Sequence, residues 1–161
     1  MNLARRFIVF LAASILMTSA YPETLKKVYL DSNRNIHIIN DHGIDKQITN
    51  KGNAGPPKLA PDRKTVAWLV MNTWMAEGDD GAGSEELTLY RDGKINSLKC
   101  TPFIRDYWFW MNGNQIAIDC GSRHFAGRET LYDTRTMRGL SSFDEAKVPL
   151  ENRPDWSGAD N

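Results

Sequence analysis

Residues 36–70 read IHIINDHGIDKQITNKGNAGPPKLAPDRKTVAWLV, and the punctuation of this stretch decides the fold. Residues 36–39 set branched apolar side chains around one imidazole, a strand composition. Asp41-His42-Gly43 closes a turn in which Gly43 is free to take a positive φ. Residues 46–49 alternate polar and apolar, which predicts a half-buried strand. Residues 50–57 are rich in Gly, Asn and Pro and predict a loop. A short strand at 58–60 follows. Pro61-Asp62 then sets a tight turn, because proline pre-forms φ at the first corner. Residues 65–70 are the most apolar run and predict the buried strand.

Moving outward, Val28-Tyr29-Leu30 predicts a preceding strand, and residues 31–35 are turn-like. The pattern then repeats. At a shift of fifty, Gly43 falls on Gly93, Ile48 on Leu98, Leu59-Ala60 on Phe109-Trp110 and Val66-Ala67 on Ile116-Ala117. The turn at 61–64 falls on 111–114. A register shared by four elements predicts a repeated four-strand unit. A partial third copy follows, with Thr130-Leu131-Tyr132-Asp133 echoing Thr88-Leu89-Tyr90-Arg91 forty-two residues on. The only helical candidate is 142–147, too short to be stable alone. Residues 148–161 are polar and Pro-containing and read as a loosely ordered tail on which Trp156 can dock.

The motif Ile-His-Ile-Ile-Asn-Asp-x-Gly, then Gln-Ile-Thr-Asn, then Pro-Lys-Leu-Ala-Pro-Asp-Arg-Lys-Thr-Val-Ala-Trp resembles the blade repeat of TolB-type β-propellers. Ala60 stands where that family usually has Ser, and Arg63 where it has Gly. The second copy lacks the Pro-Asp pair. The resemblance implies an all-β fold of antiparallel four-strand meanders, a partial or open β-propeller. It also implies a periplasmic scaffold that binds other proteins. A closed propeller needs about four to eight blades, and the chain has room for fewer than three. The sheets therefore stay open, close against another copy, or repack as a β-sandwich or irregular barrel.

With the strands of a unit labelled a to d, the second unit runs 58–60, 65–70, 86–90 and 95–99. An antiparallel meander puts its d-to-a and b-to-c connections at one end. Those are the long ones, 50–57, 72–85 and 121–128. The short turns 41–43, 61–64, 91–93 and 112–114 gather at the other. Long loops on a rigid sheet are where binding resides. Cys100 lies where strand d passes into the next a, and Cys120 ends the next b, so the layout brings the two thiols within bridging reach. An exported chain makes the disulfide the default.

Export is read from the first twenty residues. Arg5 and Arg6 precede an apolar run at 7–17, and Thr18-Ser19-Ala20 offers small residues for cleavage, the pattern of a secretory signal peptide. Its removal takes away two Arg and no acid, leaving 18 basic and 20 acidic side chains, a charge of −2. With no basic excess, nucleic acid is excluded as the main partner. No later apolar stretch reaches about 20 residues, so no membrane span is expected after cleavage. Residues 21–147 then form one β-meander domain in a periplasmic or secreted protein.

No catalytic set emerges, and no cofactor or metal is expected. Asp79, Asp80 and Glu85 lie in a Gly-rich loop at 77–86 whose oxygens suit calcium, but without EF-hand spacing. Trp74 and Met75 at its base suit a protein contact. Asp119, Ser122 and His124 lie near one another without a Gly-x-Ser-x-Gly elbow. Arg123, His124 and Phe125 read better as a polar-aromatic contact loop. In Tyr107-Trp108-Phe109-Trp110, one alternate pair faces the core and the other a neighbouring sheet or a partner. The partner-binding candidates are therefore Trp74, Met75, Asp79, Asp80, Arg123, His124 and Phe125. They point to a non-catalytic binding module or inhibitor acting on a protein partner in the cell envelope. The competing functions are a secreted hydrolase or metal-dependent enzyme, and a self-assembling envelope protein in which open edges pair between copies as a homo-oligomer.

Overall fold

The computed structural model describes residues 24–71, 84–122 and 125–158. Ten strands follow one another as antiparallel meanders. They are β1 (Leu25–Leu30), β2 (Ile36–Asn40), β3 (Asp45–Gln47), β4 (Lys58–Leu59), β5 (Thr65–Leu69), β6 (Ser84–Arg91), β7 (Lys94–Trp110), β8 (Gln115–Ser122), β9 (Phe125–Asp133) and β10 (Gly139–Asp144). β1–β3 form one sheet. β4–β10 form a second, in chain order from β10 to β4, and both sheets are open. Among the described residues, no helix is long and apolar enough to cross a membrane.

The repeat appears directly in the pairing. Lys58 pairs with Ala67 and Leu59 with Val66; fifty residues on, Trp108 pairs with Ala117 and Phe109 with Ile116. Thr65 pairs with Arg91 and Trp68 with Thr88. Their counterparts are Gln115 with Asp133 and Ile118 with Thr130. Both offsets, fifty and forty-two, are carried by the hydrogen-bond ladder.

Period-two alternation then stacks the units. Val66, Trp68 and Tyr90 on one face of the second unit pack against Leu25, Ile36 and Ile38 of the first. Ala67, Leu87 and Leu89 on its other face pack against Ile104, Tyr107, Ile116 and Ile118 of the third. The second unit is thus buried on both faces, which is why 65–70 reads as an unbroken apolar run. On the outer face of the third unit, Trp108 and Trp110 pack with Ala117, Leu131 and Trp156. Trp156 fills the place a further unit would take, so the Trp pair of the aromatic run faces the chain's own C-terminal segment.

Five expectations are corrected. The predicted half-buried strand at 46–49 is β3 only over Asp45–Gln47, which is exposed as the outer edge of the first unit, while Ile48 and Thr49 beyond it are half-buried, Ile48 against the first core. The predicted break between strand d and the next a does not exist. β7 runs through Thr101-Pro102 as one seventeen-residue strand, pairing with β6 over its first part and β8 over its last. The predicted long loop at 121–128 is mostly strand, since β8 and β9 stay paired out to Ser122 and Phe125. The helical candidate at 142–147 falls partly in β10, the fourth strand of the third unit. The tail expected to be loose is packed through residue 158. There the Trp108 indole N–H donates to the Trp156 carbonyl at 2.9 Å, and the Ser157 hydroxyl donates to buried Glu129 at 3.0 Å.

Edge protection differs from strand to strand. On the inner edge of β7, the Tyr107 N–H donates to the Asp106 carboxylate at 2.7 Å, and its carbonyl accepts from Lys58 Nζ at 2.8 Å. Side chains thereby occupy backbone groups that would otherwise recruit another strand.

Candidate functional site

The described candidate residue that stands out is Phe125, at the tip of the β8–β9 hairpin and 76% exposed. It is the most exposed large apolar side chain among the described residues. The hairpin projects because β7 stops pairing with β8 at Cys120, while β8 and β9 continue to Ser122 and Phe125. Trp74, Met75, Asp79, Asp80, Arg123 and His124 lie outside the described residues.

Two devices hold the tip. Cys100 and Cys120 form a disulfide with Cα atoms 5.8 Å apart, as the meander layout required. It closes a loop of about twenty residues, worth about 3 kcal/mol in the chain-entropy model. Replacing both cysteines by alanine is expected to lower the unfolding free energy by about that amount. Urea denaturation measures it, and a change under about 1 kcal/mol would mean that the entropic gain from closing the loop is not realised.

The second device is Arg105, whose guanidinium donates to Asp119 at 2.6 Å and to Glu145. It also reaches the Phe125 carbonyl at 3.3 Å. Glu145 in turn accepts from the Gly127 N–H at 2.5 Å, and its own N–H donates to the Gly127 carbonyl at 3.0 Å. A side chain at Gly127 would put Cβ 2.2 Å from the Cys120 carbonyl oxygen, so only glycine fits this approach.

The charges respond to this setting. Burial pushes the Glu145 carboxyl up, but the Gly127 amide and Arg105 outweigh it and hold it below its usual range. For Asp119 burial wins over Arg105, and its carboxyl titrates above the usual range. Burial alone would lower the Arg105 guanidinium, yet its two carboxylates raise it. Asp119 engages Arg105 on a different arrangement from the serine-histidine geometry weighed from sequence. Ser122 Oγ is buried without a hydrogen-bond partner among the described residues.

Beside the hairpin runs a groove of about 430 Å³ lined by Thr101, Pro102, Phe125, Arg128 and Lys147 among others. Arg128 and Lys147 are both well exposed and share Asp144, at 2.8 and 2.7 Å. A second crevice of about 240 Å³ lies on the long-loop rim between Ile48, Lys51, Trp68 and Ile95. That rim is ordered locally: the Gly52 N–H donates to Asn35 Oδ1 at 3.0 Å, and the Ala54 N–H to the Arg34 carbonyl at 3.2 Å. Among the described residues no group of three His, Cys, Asp or Glu side chains is placed to hold a metal ion.

Sequence reasoning missed a polar cluster on the first sheet. Tyr29 stacks on its cross-strand partner His37 at 4.9 Å. His37 lies 2.9 Å from Asp45 and 3.5 Å from Asp31. The Tyr29 hydroxyl donates to Asp45 at 2.6 Å, which raises the phenol and lowers the carboxyl. The available signal was the register that sets positions 29 and 37 opposite each other.

No protein-family profile matches the chain, and no curated protein matches it in sequence. Several solved structures are similar in shape, two of them as follows. One is the β-propeller domain of the Trilobed protease from Pyrococcus furiosus, described with an open velcro topology. It has a TM-score of 0.48 and 17% identity, over 78% of this chain and 43% of that one. The other is an acylaminoacyl peptidase from Pyrococcus horikoshii, with a TM-score of 0.48 and 15% identity, over 74% of this chain and 25% of that one. The chain spans less than half the length of either.

Proposed function

We propose that the protein is an exported, non-catalytic binding module or inhibitor that engages a protein partner of the cell envelope through its hairpin and long-loop rim. The observation that carries this reading is Phe125, an exposed aromatic on a hairpin braced by a disulfide and a part-buried ion-pair cluster. Aromatic anchors dominate binding energy at interfaces, and a braced hairpin loses little conformational freedom on binding. The signal-like N-terminus and the resemblance of residues 36–68 to TolB-type scaffold repeats support the same reading.

Site-specific photocrosslinking in the source cell envelope tests it. Benzoylphenylalanine at position 125 is expected to give a discrete protein adduct. The same probe at Leu150, also exposed at 62%, is expected to give none. Matching adduct patterns, or none at position 125, would reject the hairpin as the contact. Mass spectrometry of the exported protein is expected to find Tyr21 at its N-terminus.

A further inference from the structure

We propose that the outer edge of β10 pairs antiparallel with the same edge of a second copy of this chain, centred on Ser142. The surface is distinct from the Phe125 hairpin tip. Each of the three units ends in an outer strand: β3, the first part of β7, and β10. The first two carry charges that discourage pairing, Asp45 and Lys46 on β3 and Lys94 and Lys99 on β7. The third reads Gly139-Leu140-Ser141-Ser142-Phe143 before its first charge. Its first four residues are exposed, with Leu140 at 47%. β10 is the last strand of its sheet, so no described strand covers this edge.

The backbone direction follows from the ladder. The Glu145 N–H donates to the Gly127 carbonyl, and Phe143 and Ser141 pair with Glu129 and Leu131. Antiparallel pairs alternate, so the N–H and C=O of Ser142 point away from β9. The same alternation, followed back through β8 to β7, turns Tyr107 away from β8, where Asp106 and Lys58 are found on its backbone groups.

A second copy is the occupant because the segment is self-complementary about a two-fold axis through Ser142. Ser142 then exchanges two hydrogen bonds with its equivalent, and Ser141 lies opposite Phe143, small against large. Leu140 lies opposite Asp144. Identical strands related by two-fold symmetry present one patch twice, the isologous arrangement of most homodimers. The bulge between Gly139 and Ser141, and the turn in which the Lys147 and Val148 N–H groups donate to the Asp144 carbonyl at 3.0 and 3.2 Å, confine the ladder to the pairs around Ser142. An interface this short buries under about 1,000 Å² and makes a weak dimer.

Sedimentation equilibrium of the exported protein is expected to show a monomer–dimer equilibrium as concentration rises from about 10 μM to 1 mM. Ser142→Pro removes an outward N–H without touching the β9 ladder. It is expected to weaken association at least about tenfold at an unchanged melting temperature. In the proposed register the Ser142 Cα atoms lie about 5.5 Å apart, within disulfide reach. Ser142→Cys is therefore expected to form an intermolecular disulfide in air, and Leu140→Cys to form none. A monomer at all concentrations would overturn the proposal. So would a Ser142→Pro dimer as tight as the parent, or equal crosslinking by both cysteine variants.

Discussion

Replacing Arg91 by methionine is expected to remove about 3–5 kcal/mol of folding stability. Arg91 ends β6 with its side chain 7% exposed, and its guanidinium lies 2.8 Å from Asp62, itself 10% exposed. The same nitrogen reaches the Thr65 hydroxyl at 2.5 Å and the Thr134 hydroxyl at 3.3 Å. Thr134 also donates to the Gly113 carbonyl at 3.0 Å. One cation thus ties together the short turns of the second and third units. Methionine is of similar length, so the loss is not mainly a cavity. It comes from leaving the Asp62 carboxylate buried and unpaired. That cause has its own signature. Asp62→Asn keeps the turn bond from Oδ1 to the Lys64 N–H, 2.9 Å in the parent, while removing the charge. In the Arg91→Met background, Asp62→Asn is expected to restore at least about 1 kcal/mol, a coupling read from a double-mutant cycle in urea. Additive losses would assign the cost to packing and dismiss the charge argument.

This node shows what the sequence made legible. The turn at 61–64 is legible from its Pro-Asp pair, whereas its counterpart at 111–114 keeps none of those residue types and is legible only from the fifty-residue shift of the apolar strands that flank it. Arg91 itself was not legible as a tie. Its partners lie 29, 26 and 43 residues away, and only the stacking of units brings them together. The same limit applies to Arg105, whose carboxylates Asp119 and Glu145 are 14 and 40 residues distant. Local composition misled at two places. After residue 99 one strand was expected to pass into the next, yet β7 runs on through Thr101-Pro102 where neither neighbour is paired, a position that tolerates proline. Gly121 and Gly127 looked like loop glycines, but they lie in strands that approach Arg105 and each other closely, tightly at Gly121 and too closely for any side chain at Gly127. The disulfide was legible because meander topology alone sets the start of one strand beside the end of the next. Phe125 was legible as a candidate for contact, and the structure leaves it exposed, whereas the bracing beneath it required three distant segments.

Trp156→Ala is expected to lower the unfolding free energy by about 3–5 kcal/mol, the usual cost of truncating a buried tryptophan. For a chain of this size that corresponds to a melting temperature lower by on the order of 10 °C. Trp156 is 8% exposed, packed with Ala117, Leu131, Trp108 and Trp110, and its ring meets Phe143 at 5.5 Å. The interior of a stacked repeat gains stability by covering each unit with the next. Among the described residues no further unit follows the third, and its outer face carries two tryptophans that would otherwise meet water. The segment around Trp156 supplies the cover, and it is pinned at several points. The Ser157 hydroxyl and the Gly158 N–H both donate to Glu129, at 3.0 and 3.1 Å. Burial pushes the Glu129 carboxyl up, and these two donors pull it only partly back. Gly158 admits no side chain, since a Cβ there would lie 2.6 Å from the Trp108 ring. If the segment is a fourth layer, losing its aromatic plug also uncovers Trp108 and Trp110. Acrylamide quenching of tryptophan emission should then rise in Trp156→Ala under native conditions, although one fluorophore has been removed. A stability loss below about 1 kcal/mol with quenching unchanged would show instead that three units hold together without this cover.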